Sequence, residues 1–127
     1  MYTTTNKEFL VLKVSIVIPA YNEAEGLESF HNDLLLPSLE KIVLDYEVVY
    51  VNDGSTDSTH DKLSHLAKDS PRIKLVSLSR NFGKEVATSA GIQFATGDAI
   101  IIMDSDGQHP PELIGEFIAK WKAGAQV

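Results

Sequence analysis

The sequence predicts an α/β fold in which a parallel sheet carries helices on both faces, and three observations lead there. Four short runs rich in β-branched residues are apolar almost continuously rather than in alternation, as strands covered on both sides are. The segments that follow these runs space their apolar residues three and four apart, the period of a helix resting on a sheet. Each run also ends in a polar cluster, and in open α/β sheets ligands bind beyond the carboxyl ends of the strands.

The elements follow in order. A first strand covers Lys13 to Ile18, and Leu27, Phe30 and Leu34 then mark a helix that Pro37 ends or kinks. A second strand covers Tyr46 to Val51, with Thr59, Leu63 and Leu66 on the helix after it. The third strand, Ile73 to Leu78, precedes a helix carrying Ala87, Ala90, Gly91 and Phe94. The fourth, Ala99 to Met103, leads into a helix whose apolar side holds Ile114, Phe117, Ile118 and Trp121. This β-α order calls for right-handed crossovers. Gly124 reads as a helix stop and Ala125 to Val127 as the start of another strand, so residues 1–127 are expected to be the N-terminal part of a longer protein.

Composition narrows the function. Eleven basic residues against eighteen acidic ones give a net charge of −7, which disfavours nucleic acid as a partner and suits a bound divalent cation. The absence of cysteine excludes disulfides, zinc thiolates and thiol nucleophiles. No apolar run approaches the roughly 18 residues of a membrane span, and the first residues lack a signal-peptide pattern, so the chain reads as soluble and intracellular.

The chemistry must lie in the four tips. After the last strand, Asp104 and Asp106 stand two apart, a spacing that aims both carboxylates to one side of an extended segment, and Gln108 continues the series. Carboxylates that close repel unless a proton or a cation intervenes, and hard oxygen ligands suit Mg²⁺ or Mn²⁺ carrying phosphates. The plain alternative is a turn, since Asp, Ser and Gly are turn formers and Pro111 suits a helix start. Asp53 sits at the mouth of the second strand, where a carboxylate can accept hydrogen bonds from a base or a ribose. Ser55 and Asp57 after it serve the following helix as cap and dipole partner. Arg80 and Lys84 bracket the Gly83 turn and suit a diphosphate, although the stretch is not a Walker loop, and the plain alternative is surface cations pairing with neighbouring acids. Asn22 caps the first helix, His31, His60 and His65 are surface residues, and His109 beside two prolines is structural.

Taken in order, "VSIVIPAYNEAEGL", "VVYVNDGSTDST", "LSRNFGKEVATSAGIQFATGD" and "IIIMDSDGQHPPELI" resemble the nucleotide-sugar half of the family-2 inverting glycosyltransferases, over roughly residues 13 to 118. The closest likeness is to the polyprenol-phosphate sugar transferases of the dolichol-phosphate mannose synthase and undecaprenyl-phosphate glucosyltransferase type. The resemblance implies the Rossmann-like, nucleotide-binding half of a GT-A fold. It implies that Pro19, Ala20, Tyr21 and Glu23 line the base and ribose, that Asp53 bonds the base, and that Arg80 and Lys84 lie near the phosphates. It further implies that Asp104 touches the ribose or the metal, and that Asp106 and Gln108 ligate Mg²⁺ or Mn²⁺. The donor is expected to be a UDP-sugar, or else GDP-mannose, and the acceptor polyprenyl phosphate, or else another glycan acceptor. The general base, the acceptor site and any membrane helices are expected in a C-terminal region outside this sequence. That region is expected to hold the protein at the cytoplasmic face of the membrane. Two other readings are a nucleotide-binding piece without catalysis, self-associating through an open sheet edge, and a receiver-like signalling domain. The second fits poorly, because the first strand ends in Pro-Ala-Tyr-Asn-Glu where an acid pair is needed.

Overall fold

A computed structural model describes residues 13–42, 45–106 and 111–122. Gln108, His109, Gly124 and the segment 125–127 lie outside the described residues, as does the side chain of Trp121. The elements run β1 (Lys13–Ala20), α1 (Ala24–Ser29), a π-helical segment (Phe30–Leu35), α2 (Leu36–Glu40), β2 (Asp45–Asn52), α3 (Thr59–Asp69), β3 (Ile73–Ser77), α4 (Lys84–Phe94), β4 (Ala99–Ile102) and α5 (Leu113–Lys122). The four strands pair in parallel in the order β3-β2-β1-β4, with Ile16 beside Val48 on one side and Ile101 on the other.

This order positions everything else. From β1 the chain steps outward to β2 and β3, then returns past β1 to β4. Right-handed crossovers put the helices of the outward steps on one face and the helix of the return on the other. The core divides accordingly. Val14, Ile16, Ile18, Val48 and Tyr50 pack with Leu27, Leu35, Leu39, Leu63 and Ile114. On the opposite face Val17, Val49 and Val51 pack with Ala87 of α4. Gly91 lets α4 come close: a Cβ there would lie 2.5 Å from Val17 and 2.9 Å from Val51.

Three features depart from the expected pattern. In the first helix Leu34 is 43% exposed and Leu35 is buried in its place. The cause is the π-turn, in which the N–H of Leu36 donates to the carbonyl of His31, five residues back. The additional residue rotates the next turn, so the inward set becomes Leu27, His31, Leu35 and Leu39. Pro37 does not end the helix, because it occupies the first turn of α2, where a missing N–H costs little. Secondly, His31, four residues after Leu27 on the inward face, is buried and is not a surface residue. Its Nδ1 lies 2.7 Å from the Tyr50 hydroxyl, and burial lowers the imidazole pKa while raising that of the phenol. Thirdly, among the described residues β4 is covered on one face only. α4 lies over β1 and β2, leaving Ile100 and Ile102 exposed, and Phe117 of α5 is exposed as well.

At the amino end of the sheet a buried carboxylate ties three strands together. Glu47 accepts hydrogen bonds from Ser15 Oγ at 2.6 Å and from the Thr96 N–H at 2.6 Å. Its other oxygen makes ionic contacts with Lys74 at 2.7 Å and Lys13 at 3.5 Å. Burial alone would raise this carboxyl, but the bonds from Lys74, Ser15 and Thr96 outweigh it and hold the pKa at about 2.

Candidate functional site

In an open parallel sheet the ligand crevice forms where neighbouring strands send their connections in opposite directions. Here that point lies between β1, which leads toward β2, and β4, which lies on the other side. A cavity of about 450 Å³ opens there, lined by Pro19, Ala20, Tyr21, Glu23, Asp53, Asn81, Gly83, Lys84, Asp104, Ser105 and Asp106. Of the residues singled out from the sequence, Arg80 and Gln108 are not among these. Arg80 instead stacks on the Phe82 ring, its guanidinium carbon 4.0 Å from the centroid, and Gln108 is outside the described residues.

The first wall is the tip of β1. Asn22 adopts a left-handed backbone, φ 51°, a conformation that asparagine tolerates better than most residues. Its side-chain oxygen accepts the N–H groups of Thr56 at 2.8 Å and Asp57 at 3.3 Å, and its own N–H donates to Ser55 Oγ at 2.9 Å. Asn22 therefore locks the first tip to the second rather than capping α1. Ser55 is engaged in the same lock and does not cap α3. Asp57 serves two helix starts, accepting the N–H of Thr59 at 2.9 Å and that of Ala24 at 3.3 Å. Its carboxyl pKa is lowered, chiefly by the Thr59 hydroxyl.

The second wall is organised by Asp53, which is 3% exposed. One carboxylate oxygen accepts the Phe82 N–H at 2.8 Å. The other accepts the Gly83 N–H at 3.1 Å and the Asn81 amide at 3.0 Å. Beside it, Gly54 has φ 68°, and a Cβ there would sit 2.0 Å from the backbone of Arg80, so only glycine lets the two loops touch. Asp53 thus holds the loop that precedes α4, a role the sequence did not reveal. Asn81, Gly83 and Ser105 are further lining residues the sequence reading did not select.

The third wall is the tip of β4. The chain turns at Ser105–Asp106 instead of continuing extended, so the strand alternation of the two aspartates does not carry through. Both still line the cavity. The ammonium of Lys84, at the start of α4, forms an ion pair with Asp104. Glu23 faces this group from β1. Burial, followed by the carboxylates of Asp106, Asp57 and Asp104, raises its pKa.

A carboxylate raised by burial and by its acidic neighbours, as Glu23 is, marks a place that favours an added cation, and oxygen donors suit a hard one. Among the described residues no three acidic or histidine side chains form a complete metal cage. Mg²⁺-type ions in phosphate sites need only one or two carboxylates together with substrate oxygens. Asp104 and Asp106 fit such a cation.

Comparisons with known proteins agree with this geometry. The family model for "Glycosyl transferase family 2" matches residues 15–127. An uncharacterized glycosyltransferase of Synechocystis, sll0501, is 47% identical over 118 residues, covering 93% of this chain and 37% of the relative. A prophage bactoprenol glucosyl transferase homolog of Escherichia coli K12 is 42% identical over 117 residues, covering 91% and 38%. Among solved structures, the mannosyltransferase PcManGT from Pyrobaculum calidifontis, in complex with GDP-Man and Mn²⁺, superposes with TM-score 0.70 at 28% identity, covering 90% of this chain and 33% of that one. S. aureus TarS in complex with UDP-GlcNAc gives TM-score 0.65 at 27% identity, covering 84% and 30%. These structural neighbours are GT-A glycosyltransferases, as the resemblance implied. The chain spans little more than a third of the length of the curated relatives it matches. With the family match running from β1 to the final residue, the chain belongs to glycosyl transferase family 2.

Proposed function

We propose that this chain provides the donor side of a glycosyltransferase that moves a sugar from a nucleoside diphosphate to polyprenyl phosphate with inversion. The observation that carries the proposal is the convergence of Glu23, Lys84, Asp104 and Asp106 on one cavity at the crevice of the sheet. The similarity to bactoprenol glucosyl transferases supports a lipid-linked acceptor. A UDP-sugar is the favoured donor, the nucleotide class that TarS holds, and GDP-mannose, held by PcManGT, is the second.

In this reading Pro19, Ala20 and Tyr21 pack on the base and ribose, and Glu23 and the sheltered edge of Asp53 accept their hydrogen bonds. Lys84 pairs with the diphosphate and Arg80 adds positive field at its edge. Asp104 and Asp106, with Gln108, hold Mg²⁺ or Mn²⁺, which when bound stabilises negative charge on the departing diphosphate. The lipid phosphate oxygen forms a bond to the anomeric carbon as the bond from that carbon to the diphosphate oxygen breaks, and the nucleoside diphosphate leaves. Directed transfer requires that oxygen to be held in line, a task for the acceptor side of the whole protein. A polyprenyl acceptor puts the reaction at the cytoplasmic face of a membrane. Among the described residues no helix is long and apolar enough to cross one.

The test is transfer of labelled glucose from UDP-glucose to undecaprenyl phosphate by the whole protein. Asp106→Ala should lower the rate by about 100-fold or more, as loss of a group stabilising the leaving charge does. Lipid-linked product formed at an undiminished rate by that variant would refute the assignment.

A further inference from the structure

Lys84 stands where two ligands of the proposed site meet. It is the first residue of α4, and the loop before it is fixed, since Asp53 holds the N–H groups of Phe82 and Gly83. From this anchored start the side chain reaches across the cavity to the carboxylate of Asp104 at the end of β4. The lysine side chain is 61% exposed, whereas that of Asp104 is only 13% exposed. The pair therefore joins an exposed ammonium on a four-carbon stem to a sheltered carboxylate. Asp104 is also a carboxylate that the donor-site reading gives to a divalent cation. An ammonium on that carboxylate and a dication bound to it repel each other at contact distance. A diphosphate changes the balance, because its oxygens offer the ammonium another anionic partner a short rotation away.

We propose that Lys84 couples the two ligands: it competes with a divalent cation for Asp104, and moves to the phosphates when a nucleoside diphosphate arrives. The cation and the nucleotide then bind tightly only together. This rests on the donor-site reading above. It adds that Lys84 acts with opposite sign on the two partners, weakening binding of the cation alone and strengthening that of the cation with nucleotide. Because coupling is reciprocal, the factor by which UDP tightens Mn²⁺ equals the factor by which Mn²⁺ tightens UDP. Removing Lys84 must lower both.

The experiment compares the 127-residue chain with Lys84→Met, which keeps the length of the side chain and removes its charge. Free Mn²⁺ is followed by electron paramagnetic resonance with and without UDP, and UDP affinity is followed by calorimetry with Mn²⁺ or with EDTA. Circular-dichroism melting checks that the variant folds, and Lys84→Arg serves as the charge-conserving control. The expected result is that Lys84→Met binds Mn²⁺ alone about fivefold tighter, yet binds UDP in the presence of Mn²⁺ about tenfold weaker, with Lys84→Arg between it and the wild type. Unchanged or weaker binding of Mn²⁺ alone by Lys84→Met, in a protein whose wild type shows metal-dependent UDP binding, would overturn the coupling and leave the donor site standing. A wild type whose UDP affinity ignores Mn²⁺ would overturn both.

Discussion

Asp53 shows how a carboxylate that lines a site can also shape it by holding backbone. It is buried at the tip of β2 and accepts three hydrogen bonds from the Asn81–Gly83 loop. Asp53→Ala should therefore weaken UDP binding and also lower stability by about 1–3 kcal/mol, the cost of leaving such donors without a partner. Urea denaturation combined with calorimetry checks both effects, and Asp53→Asn, which retains one acceptor oxygen, should fall between. Glu47 acts at the opposite end of the sheet and governs acid stability. Its folded pKa of about 2 lies below the ordinary 4.5, so its contribution is complete above that ordinary value and fades as pH falls from there toward 2. By linkage this amounts to roughly 3 kcal/mol. Denaturation midpoints measured across that range should fall more steeply for the wild type than for Glu47→Gln. At neutral pH Glu47→Gln should itself be the less stable protein. The sequence announced neither role: an Asp before Gly reads as a turn, and a Glu within a strand reads as surface, until the partners from other elements are in view.

At the scale of elements, what the sequence disclosed was what periodicity can carry. All four strands were found to within two residues at either end, because parallel strands buried on two faces leave continuous apolar runs. Thr59, Leu63 and Leu66 lie inward on α3 as their spacing demanded. The first helix was misread at Leu34 because its period is broken by the π-turn, which no local propensity marks. Coverage of β4 was also overstated, since continuous hydrophobicity does not reveal which neighbour covers a given face. The packing of α4 supplies a sharp test of the architecture. Gly91→Ala removes a residue of poor helix propensity, which alone would add about 1 kcal/mol of stability. The methyl group, however, would meet Val17 and Val51 at 2.5 and 2.9 Å. Overpacking of this kind typically costs about 1–3 kcal/mol, so the net change should be destabilising. Chemical denaturation measures it, and a stabilised variant would mean that α4 does not approach the sheet so closely.

Across the whole molecule, chain order explains where the proposed donor site lies. Two outward crossovers and one return create a crevice between β1 and β4, and all four polar tips of the sequence end around it. Pro19, Ala20, Tyr21, Glu23, Asp53, Lys84, Asp104 and Asp106 were legible as residues around the crevice because each stands at or beyond the end of a strand that could be read directly. Arg80 was not separable from them by sequence, since its stacking on Phe82 depends on a loop shape that Asp53 sets from a distance. The central claim is that this crevice binds a nucleoside diphosphate sugar together with a divalent cation held by Asp104 and Asp106. The measurement that tests it most directly is calorimetric titration of UDP-glucose into this chain and into Asp106→Ala, each with Mn²⁺ and with EDTA. The account predicts at least about tenfold tighter binding with Mn²⁺ for the wild type, a difference of about 1.4 kcal/mol, and loss of that gain in the variant. Equal affinity in Mn²⁺ and in EDTA for the wild type would contradict it.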